Sequence, residues 1–544
     1  MLCITYMMFF ITHAQNIGIG ITTPSGRLHI KGNADTAQLV IDANSTQGNI
    51  PIIRLRSALG NDMMHVRADT SFNVFMGWNA GASNNKSGGW FNTFIGSNAG
   101  FYNTNGTYNT AIGRAALYQN SQGQYNTALG FHTLFSNTIG SSNTAIGSQA
   151  MDFNQDGSNN IAIGQDALKH NISGSMNTAI GRASLQNNFV NDNTAIGSFS
   201  LFSNTSGQYN TAVGYGALTN NTTASNNTAV GFNALDLNYL GTENTAMGTN
   251  ALFLNTSCIG NTAVGFEALK FQSYGGANTF TTYNTAIGAS ALYSNNPVAG
   301  GGGYGNTAVG GYASYNNATG LDNTAVGYNA MMKTTNGNDN TSLGNNSLYY
   351  NKTGSFNVAI GAYAGTDPGT TALNNTISLG NHNYLNAASN QAFLGNLNMA
   401  WTGGNVGWST FSDARIKTNI TEDVKGIEFI KRLRPVTYYR NTNAALTITG
   451  NKDSFSYPEK YDIEKIKFSG FIAQEVADAA KRSGYDFSGV GIPKSSRELY
   501  SLRYEEFVVP LVKAVQEQQN LIEEQNRKIE LLSKELELLK EKLK

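Results

Sequence analysis

Cysteine is almost absent: Cys3 and Cys258 are the only two in 544 residues, which excludes a disulfide framework and a four-cysteine metal site. Stability must therefore come from packing and association. Cys258 sits inside a repeat, where a small packed thiol is expected rather than a reactive one. Charge is sparse as well. Charged residues make up 13% of the chain and the formal net charge is +0, so there is no general electrostatic reason to expect nucleic acid or an anionic membrane as partner. Beyond the N terminus no run approaches the roughly 18 apolar residues that a membrane span requires. Membrane insertion is therefore not expected. Acidic residues are few outside the C-terminal quarter: only 14 of the 35 precede Ser412, and no pair of carboxylates in the repeats suggests glycoside cleavage. Neither a metal nor a cofactor constellation is visible, and no cofactor is expected. Proline, at 8 residues, is as scarce as glycine, at 60, is abundant. That balance is too apolar and too regular for a disordered chain.

What is present is a repeat. From Asn92 to Gly361 the pentad Asn-Thr-Ala-(Ile/Val/Leu)-Gly recurs with small variations, starting at 92, 109, 126, 143, 160, 177, 193, 210, 227, 244, 261, 284, 306, 323, 340 and 357. The step is 17 residues in most cases, 16 before Asn193, and 23 and 22 before Asn284 and Asn306. A fixed period marks a stacked architecture in which each unit buries its apolar face only against its neighbours. Within a unit, Ile112 is followed by Ala116 and Leu117, and Val213 by Ala217 and Leu218. That spacing would also suit a helical face. The Gly after each aliphatic residue and the many Asn, Thr and Ser argue instead for strands and turns. Each unit reads as one coil of a β-roll or β-solenoid. The aliphatic residues are expected to form a buried ladder, each contributing about 1.5 to 3 kcal/mol, with the Asn residues as a second ladder and Gly at a turn.

The NTAIG and NTAVG pentads resemble the head repeats of trimeric autotransporter adhesins. This resemblance implies a left-handed parallel β-roll with three chains side by side. The expanded units before Asn284 and Asn306, with Gly300 to Gly303, are the natural loops, either as a binding surface or as tolerated insertions in a passive shaft. Thr ladders also raise an ice-binding surface as a weaker alternative.

Residues 412–544 differ in kind, holding 23 of the 35 Lys and Arg and 21 of the 35 Asp and Glu. Ser412-Asp413-Ala414-Arg415-Ile416-Lys417 is followed by Asn419-Ile420, Leu433-Arg434-Pro435-Val436-Thr437-Tyr438, Gly470-Phe471-Ile472-Ala473-Gln474-Glu475-Val476 and Tyr504. Together these motifs resemble the endosialidase-type intramolecular chaperone auto-processing domain of phage tail spikes. The resemblance implies an autoproteolytic serine peptidase acting only on itself: Ser412 attacks the bond between Phe411 and Ser412, with Lys417 as general base. Such a lysine must be neutral to act, hence desolvated. On the residues alone, Ser412 and Asp413 could equally cap a turn while Arg415 and Lys417 lie in solvent. Asp413, Arg415, Gln474 and Glu475 are read as structural support.

The chain ends in heptads. Val508, Val515, Ile522, Ile529, Leu536 and Leu543 form one seam position, and Leu511, Gln518, Gln525, Leu532 and Leu539 the other, predicting a coiled coil with polar interruptions. Trimerisation follows from the family resemblance, since the heptads do not choose between two strands and three. At the other end, an apolar stretch from Leu2 to Ile11, followed by Thr12, His13 and Ala14, reads as an export signal cleaved before Gln15, although the usual positive n-region is missing.

The expected organisation is thus mainly β: signal peptide 1–14, a β-rich cap 15–91, a parallel β-roll or β-solenoid shaft 92–361, a connecting β region 362–411, and an α+β chaperone domain 412–544 with a coiled coil over 508–544. The functional expectation is an exported homotrimeric fibre, extracellular or on the cell surface, with a host-surface or glycan receptor as partner. The alternative is a phage or prophage tail fibre located in the virion.

Overall fold

The computed structural model describes residues 51–544, together with Ile17–Ile19, Leu28–Ile30 and residue 41, except for short stretches at 61, 69–71, 274–277, 298–300, 366–367, 370, 381–385, 387, 401, 404–408, 451–457 and 459. The expected signal peptide and much of the first half of the expected cap lie outside these residues. The described chain divides into two compact units, residues 1–226 and 227–544.

In the first unit, Ile53–Arg56, Asp62–Ala68 and Val74–Met76 form an antiparallel meander. From Val74–Met76 onward every pairing is parallel, strand upon strand, to Thr211–Val213. The second unit continues in the same manner from Thr228–Val230 to Ala392–Leu394. From Thr93–Ile95 to Val358–Ile360 these strands are the second to fourth residues of the pentads, paired position for position, for example Thr110↔Thr127, Ala111↔Ala128 and Ile112↔Leu129. The shaft is a parallel β-solenoid, as the repeat predicts.

The side chains inside it are not the expected ones. A strand of three turns its middle residue one way and its outer two the other, and here the middle Ala faces in: Ala111, Ala128 and Ala145 are fully buried. The second patch completes the core with Ala116 and Leu117, or Ala217 and Leu218, also fully buried. The aliphatic ladder exists but faces outward, with Ile112 at 36%, Leu129 at 43% and Ile287 at 41% exposure. The reason is width: one coil has room between strand and turn for Ala against Ala-Leu, and no room for a further Ile.

The first two coils confirm the width rule by breaking the pattern. Phe75 and Phe94 replace the core Ala, stacked at 5.3 Å and 13°, and Gly81 and Gly100 replace the Leu. A Cβ at Gly100 would lie 2.4 Å from the Phe94 ring, and one at Gly81 2.7 Å from Phe75. Volume is traded across the coil and the total is kept.

Two polar ladders close the corners. Asn109 Nδ2 donates to the Gly123 carbonyl at 2.8 Å, and its Oδ1 accepts from the backbone N–H of Asn126 at 2.9 Å. Eleven residues on, an Asn that the pentad does not include meets the same turn carbonyl: Asn120 Nδ2 donates to Gly123 O at 3.0 Å and to Asn103 Oδ1 of the preceding coil at 2.7 Å. These buried amides satisfy both one another and the turn carbonyls. The pentad Gly allows the turn that follows. Gly113 has φ +136°, and a Cβ there would stand 2.3 Å from the Gly130 carbonyl oxygen of the next coil. Beyond it, Ala115 and Leu117 adopt left-handed φ of 53°. This alternation aims successive N–H groups at opposite neighbours: Ala115 N donates to Ser97 O, and Leu117 N to Thr133 O, each at 2.9 Å. Those bonds offset backbone strain of about 1–3 kcal/mol per residue.

Irregular spacing leaves the register intact. Across the 16-residue step Thr178 still pairs with Thr194, the missing residue being absorbed at the corner, where Asn188 donates to the carbonyl of Val190. Across the long steps Thr262 pairs with Thr285 and Thr285 with Thr307. Within the first long step Gln272 takes the corner Asn position and donates to Thr282 Oγ1 at 3.0 Å. Cys258 is fully buried, as expected of a packed thiol. No helix among the described residues is long and apolar enough to cross a membrane.

Candidate active site

After the last solenoid strand the chain reaches an open segment: residues 409–423 are exposed throughout, and Phe411 is 94% exposed. Asp413, with φ −70° and ψ 134°, caps a single 3₁₀ turn over Ala414–Ile416, its carboxylate accepting from the Arg415 N–H at 2.8 Å. Lys417 N then donates to Ala414 O at 3.2 Å, closing the turn. The reversal carries the Lys417 side chain back along the segment, and Lys417 Nζ meets Ser412 Oγ at 2.7 Å. A spacing of five would place the two residues on different faces of an α-helix, where neighbours are three or four apart. The capped turn brings them together.

Arg415 folds onto Asp413, with Nε at 3.1 and 3.0 Å from the two carboxylate oxygens and Nη2 at 2.5 Å from Oδ2. The side-chain bond from Arg415, with the backbone bond second, holds the Asp413 carboxyl below its usual range. Phe411 and Ser412 are adjacent, so the Ser412 hydroxyl sits one residue from the Phe411 carbonyl carbon. The arrangement provides a hydroxyl, an amine within proton-transfer distance, and an acyl group next to the hydroxyl.

The remaining motif residues build the support. Phe429, Val476, Ala479, Ala480, Phe487 and Phe507 form the core of this part. Helix Ala473–Arg482 begins beside Glu475, which takes Arg434 as a two-pronged partner at 2.5 and 3.1 Å. Tyr504 Oη accepts from the Phe471 N–H at 3.1 Å, over Gly470, where a Cβ would lie 2.2 Å from that oxygen. Among the described residues, none of these bonds involves Ser412 or Lys417. Glu517, which the motifs did not indicate, caps the short helix Ile427–Ile430 by accepting from Ile427 N at 2.8 Å.

The terminal helix runs over Val508–Lys542, about 50 Å at 1.5 Å per residue. Pro510 is tolerated because it lies in the first turn, whose N–H groups lack helical partners. Its heptad residues are open to solvent, from Ile522 at 42% to Leu532 at 63% exposure. The same holds for Val515, Ile529, Leu536 and Leu539.

A search of curated proteins returns no match to this chain. Residues 412–485 match the family model described as chaperone of endosialidase, beginning at the serine of the Ser412–Lys417 pair. The chain therefore carries a chaperone-of-endosialidase segment near its C terminus, behind a β-solenoid of repeats.

Proposed function

We propose that the chain is an exported, trimeric, fibre-like protein whose C-terminal segment aligns the three copies and then detaches by cutting the Phe411–Ser412 bond. One observation carries the reading: a serine and a lysine in contact at 2.7 Å on an exposed turn, at the first residue of the chaperone match. In the proposed step a neutral Lys417 takes the Ser412 Oγ proton, and Oγ adds to the Phe411 carbonyl carbon. The C–N bond breaks, the proton passes to the departing Ser412 nitrogen, and an ester joins Phe411 to Oγ. Water then hydrolyses the ester, leaving a carboxylate on Phe411 and a free N terminus on Ser412.

The lysine supplies the control. A lysine in water is protonated at neutral pH, and only removal from solvent or a change of charged neighbours makes the neutral amine available. In a single chain Lys417 and Ser412 are both exposed. Covering by neighbouring copies converts the pair into a working dyad, so cleavage follows assembly. Two surfaces support association with further copies: the outward aliphatic ladder of the shaft, and the open heptad seam of the terminal helix. Each presents exposed apolar side chains at a regular interval, the seam with Gln518 and Gln525 among them, and every further copy carries the same surfaces.

Intact-mass analysis with light scattering tests the proposal. The wild type should yield trimers with a new N terminus at Ser412, and Ser412→Ala should yield trimers of the full chain. A folded, assembled wild type that stays intact overturns the cleavage, and a folded monomer overturns the assembly.

A further inference from the structure

Asp413 places a carboxylate on the residue next to the nucleophile, one position from the site where Lys417 Nζ is docked. An unengaged carboxylate there would be the natural partner of the lysine ammonium, and a lysine held in such a pair is a poor base. The carboxylate is engaged elsewhere. Arg415 covers it with three side-chain contacts, and its own backbone N–H adds a fourth. The Arg415 side chain is otherwise 89% exposed, so its described polar contacts all go to Asp413.

We infer that Arg415 is a positioning residue for the proposed cleavage: by holding the Asp413 carboxylate it keeps that anion off Lys417 and leaves the amine to serve Ser412. The inference rests on the dyad reading and adds to it the control of charge around the base. Asp413 and Arg415 together present no net charge to Lys417. Asp413 without Arg415 presents a negative one, and Arg415 without Asp413 a positive one. Among the described residues the Lys417 side chain bonds only to Ser412, and the whole of 409–423 is exposed. The other charged groups of the segment are Glu422, Asp423 and Lys425, and Asp423 accepts from Thr421 Oγ1 at 3.1 Å. Asp413 is thus the carboxylate nearest in sequence to the dyad.

The test is the self-cleavage rate of the full chain from mildly acidic to alkaline pH, with light scattering to confirm equal assembly. Arg415→Ala should cleave about tenfold more slowly than wild type at neutral pH and recover at alkaline pH, as expected when an anion is left beside an amine base. Asp413→Asn with Arg415→Ala should return to the wild-type profile, because Asn still accepts the Arg415-position N–H as a cap and carries no charge. A purely structural pair would lower the rate equally at every pH, and the double variant would be no better than Arg415→Ala. Either that outcome or an Arg415→Ala profile superposing on wild type overturns the inference. A wild type that assembles without cleaving overturns the dyad reading and this inference with it.

Discussion

Replacing Phe94 by Ala should open the first coils of the shaft, and adding Gly100→Leu should close them again. Phe94 is fully buried and stacks on Phe75 at 5.3 Å. Its removal leaves an unfilled space beside Gly100, a loss of about 3–5 kcal/mol for Phe→Ala in a core. Gly100→Leu alone puts a side chain where the ring already is, 2.4 Å from the first added carbon. The left-handed φ of 58° at Gly100 is no separate obstacle, since Leu117 occupies the matching position of the next coil at 53°. Together the two changes recreate the Ala-and-Leu coil found at Ala111 and Leu117. The boundary between the two coil types then moves up by one coil and none is added. What remains lost is the ring stacking, about 0.5–1.5 kcal/mol. The pair should therefore be non-additive by about 3 kcal/mol or more. Because a solenoid opens locally, the assay is amide hydrogen exchange of the full chain read over residues 93–117. Protection in the double variant no better than in Phe94→Ala would refute the volume-trading account.

Ile287→Asp, on the outward ladder at 41% exposure, should leave the coil folded by circular dichroism while weakening association by about the 1.5–3 kcal/mol that burial of an Ile contributes, measured by light scattering across concentration. Gly113→Ala should destabilise the shaft in urea unfolding by at least the about 1–3 kcal/mol of backbone strain at such a φ, because the new methyl would also meet Gly130 O at 2.3 Å. Glu464 accepts from Thr442 N at 2.8 Å and from its hydroxyl, and these bonds, the side-chain one chiefly, hold its carboxyl below the usual range. A depressed carboxyl stabilises the fold above the ordinary carboxylate pKa, and that contribution fades as pH falls through the lowered value. Glu464→Gln should accordingly flatten the acid end of the stability curve of residues 412–544, followed by tyrosine fluorescence.

The coil was legible because its period is 17 residues in most steps and each aliphatic residue of the pentad is followed by Gly. Which way the strand faces was not. Alternation separates Ala111 from Thr110 and Ile112, but hydrophobicity alone ranks Ile above Ala for the interior, and only the width of a closed coil reverses that order. The Asn series at 103, 120 and 137 recurs with the repeat period, yet a polar residue at a corner reads as loop until the carbonyls it satisfies are known. Phe94 opposite Gly100 is a legible exchange once the coil is drawn, and invisible before. At the site, Ser412 and Lys417 came from the resemblance, and their contact depends on a turn that the Asp413 cap makes and that no helical spacing rule anticipates. Arg434 and Glu475 were both named, but their pairing spans 41 residues and leaves no local trace.

Register is the problem a shaft of this kind sets its own assembly. Shifting one chain past another by one coil re-pairs each Thr-Ala-Ile with an equivalent one, and the outward rows of Ile, Val and Leu meet as well as before except at the ends. In the proposed trimer such a slip forfeits one coil of contact, on the order of 2 kcal/mol for one aliphatic side chain, while the barrier to correcting it rises with every coil already matched. The middle of the shaft carries few marks to set the register, a shortened step before Asn193 and the enlarged steps before Asn284 and Asn306; the others lie at its ends, in the two Phe coils and in the uneven pairings Val358↔Ile377 and Ile377↔Ala392. The terminal helix penalises a slip more sharply. Its seam runs Leu511, Gln518, Gln525, Leu532, and a shift of one heptad sets Gln518 of one chain against Gln525 of another but leaves the remaining Gln of each chain against Leu511 or Leu532, a mismatch that buried amides do not tolerate. Alignment at the helix before the coils close thus converts a choice among near-equal registers into a single one. The same logic accounts for the place of the proposed cut at Ser412, before the helix and after the shaft: once the coils of neighbouring chains in the proposed trimer are locked, the element that set their register contributes nothing further to keeping it.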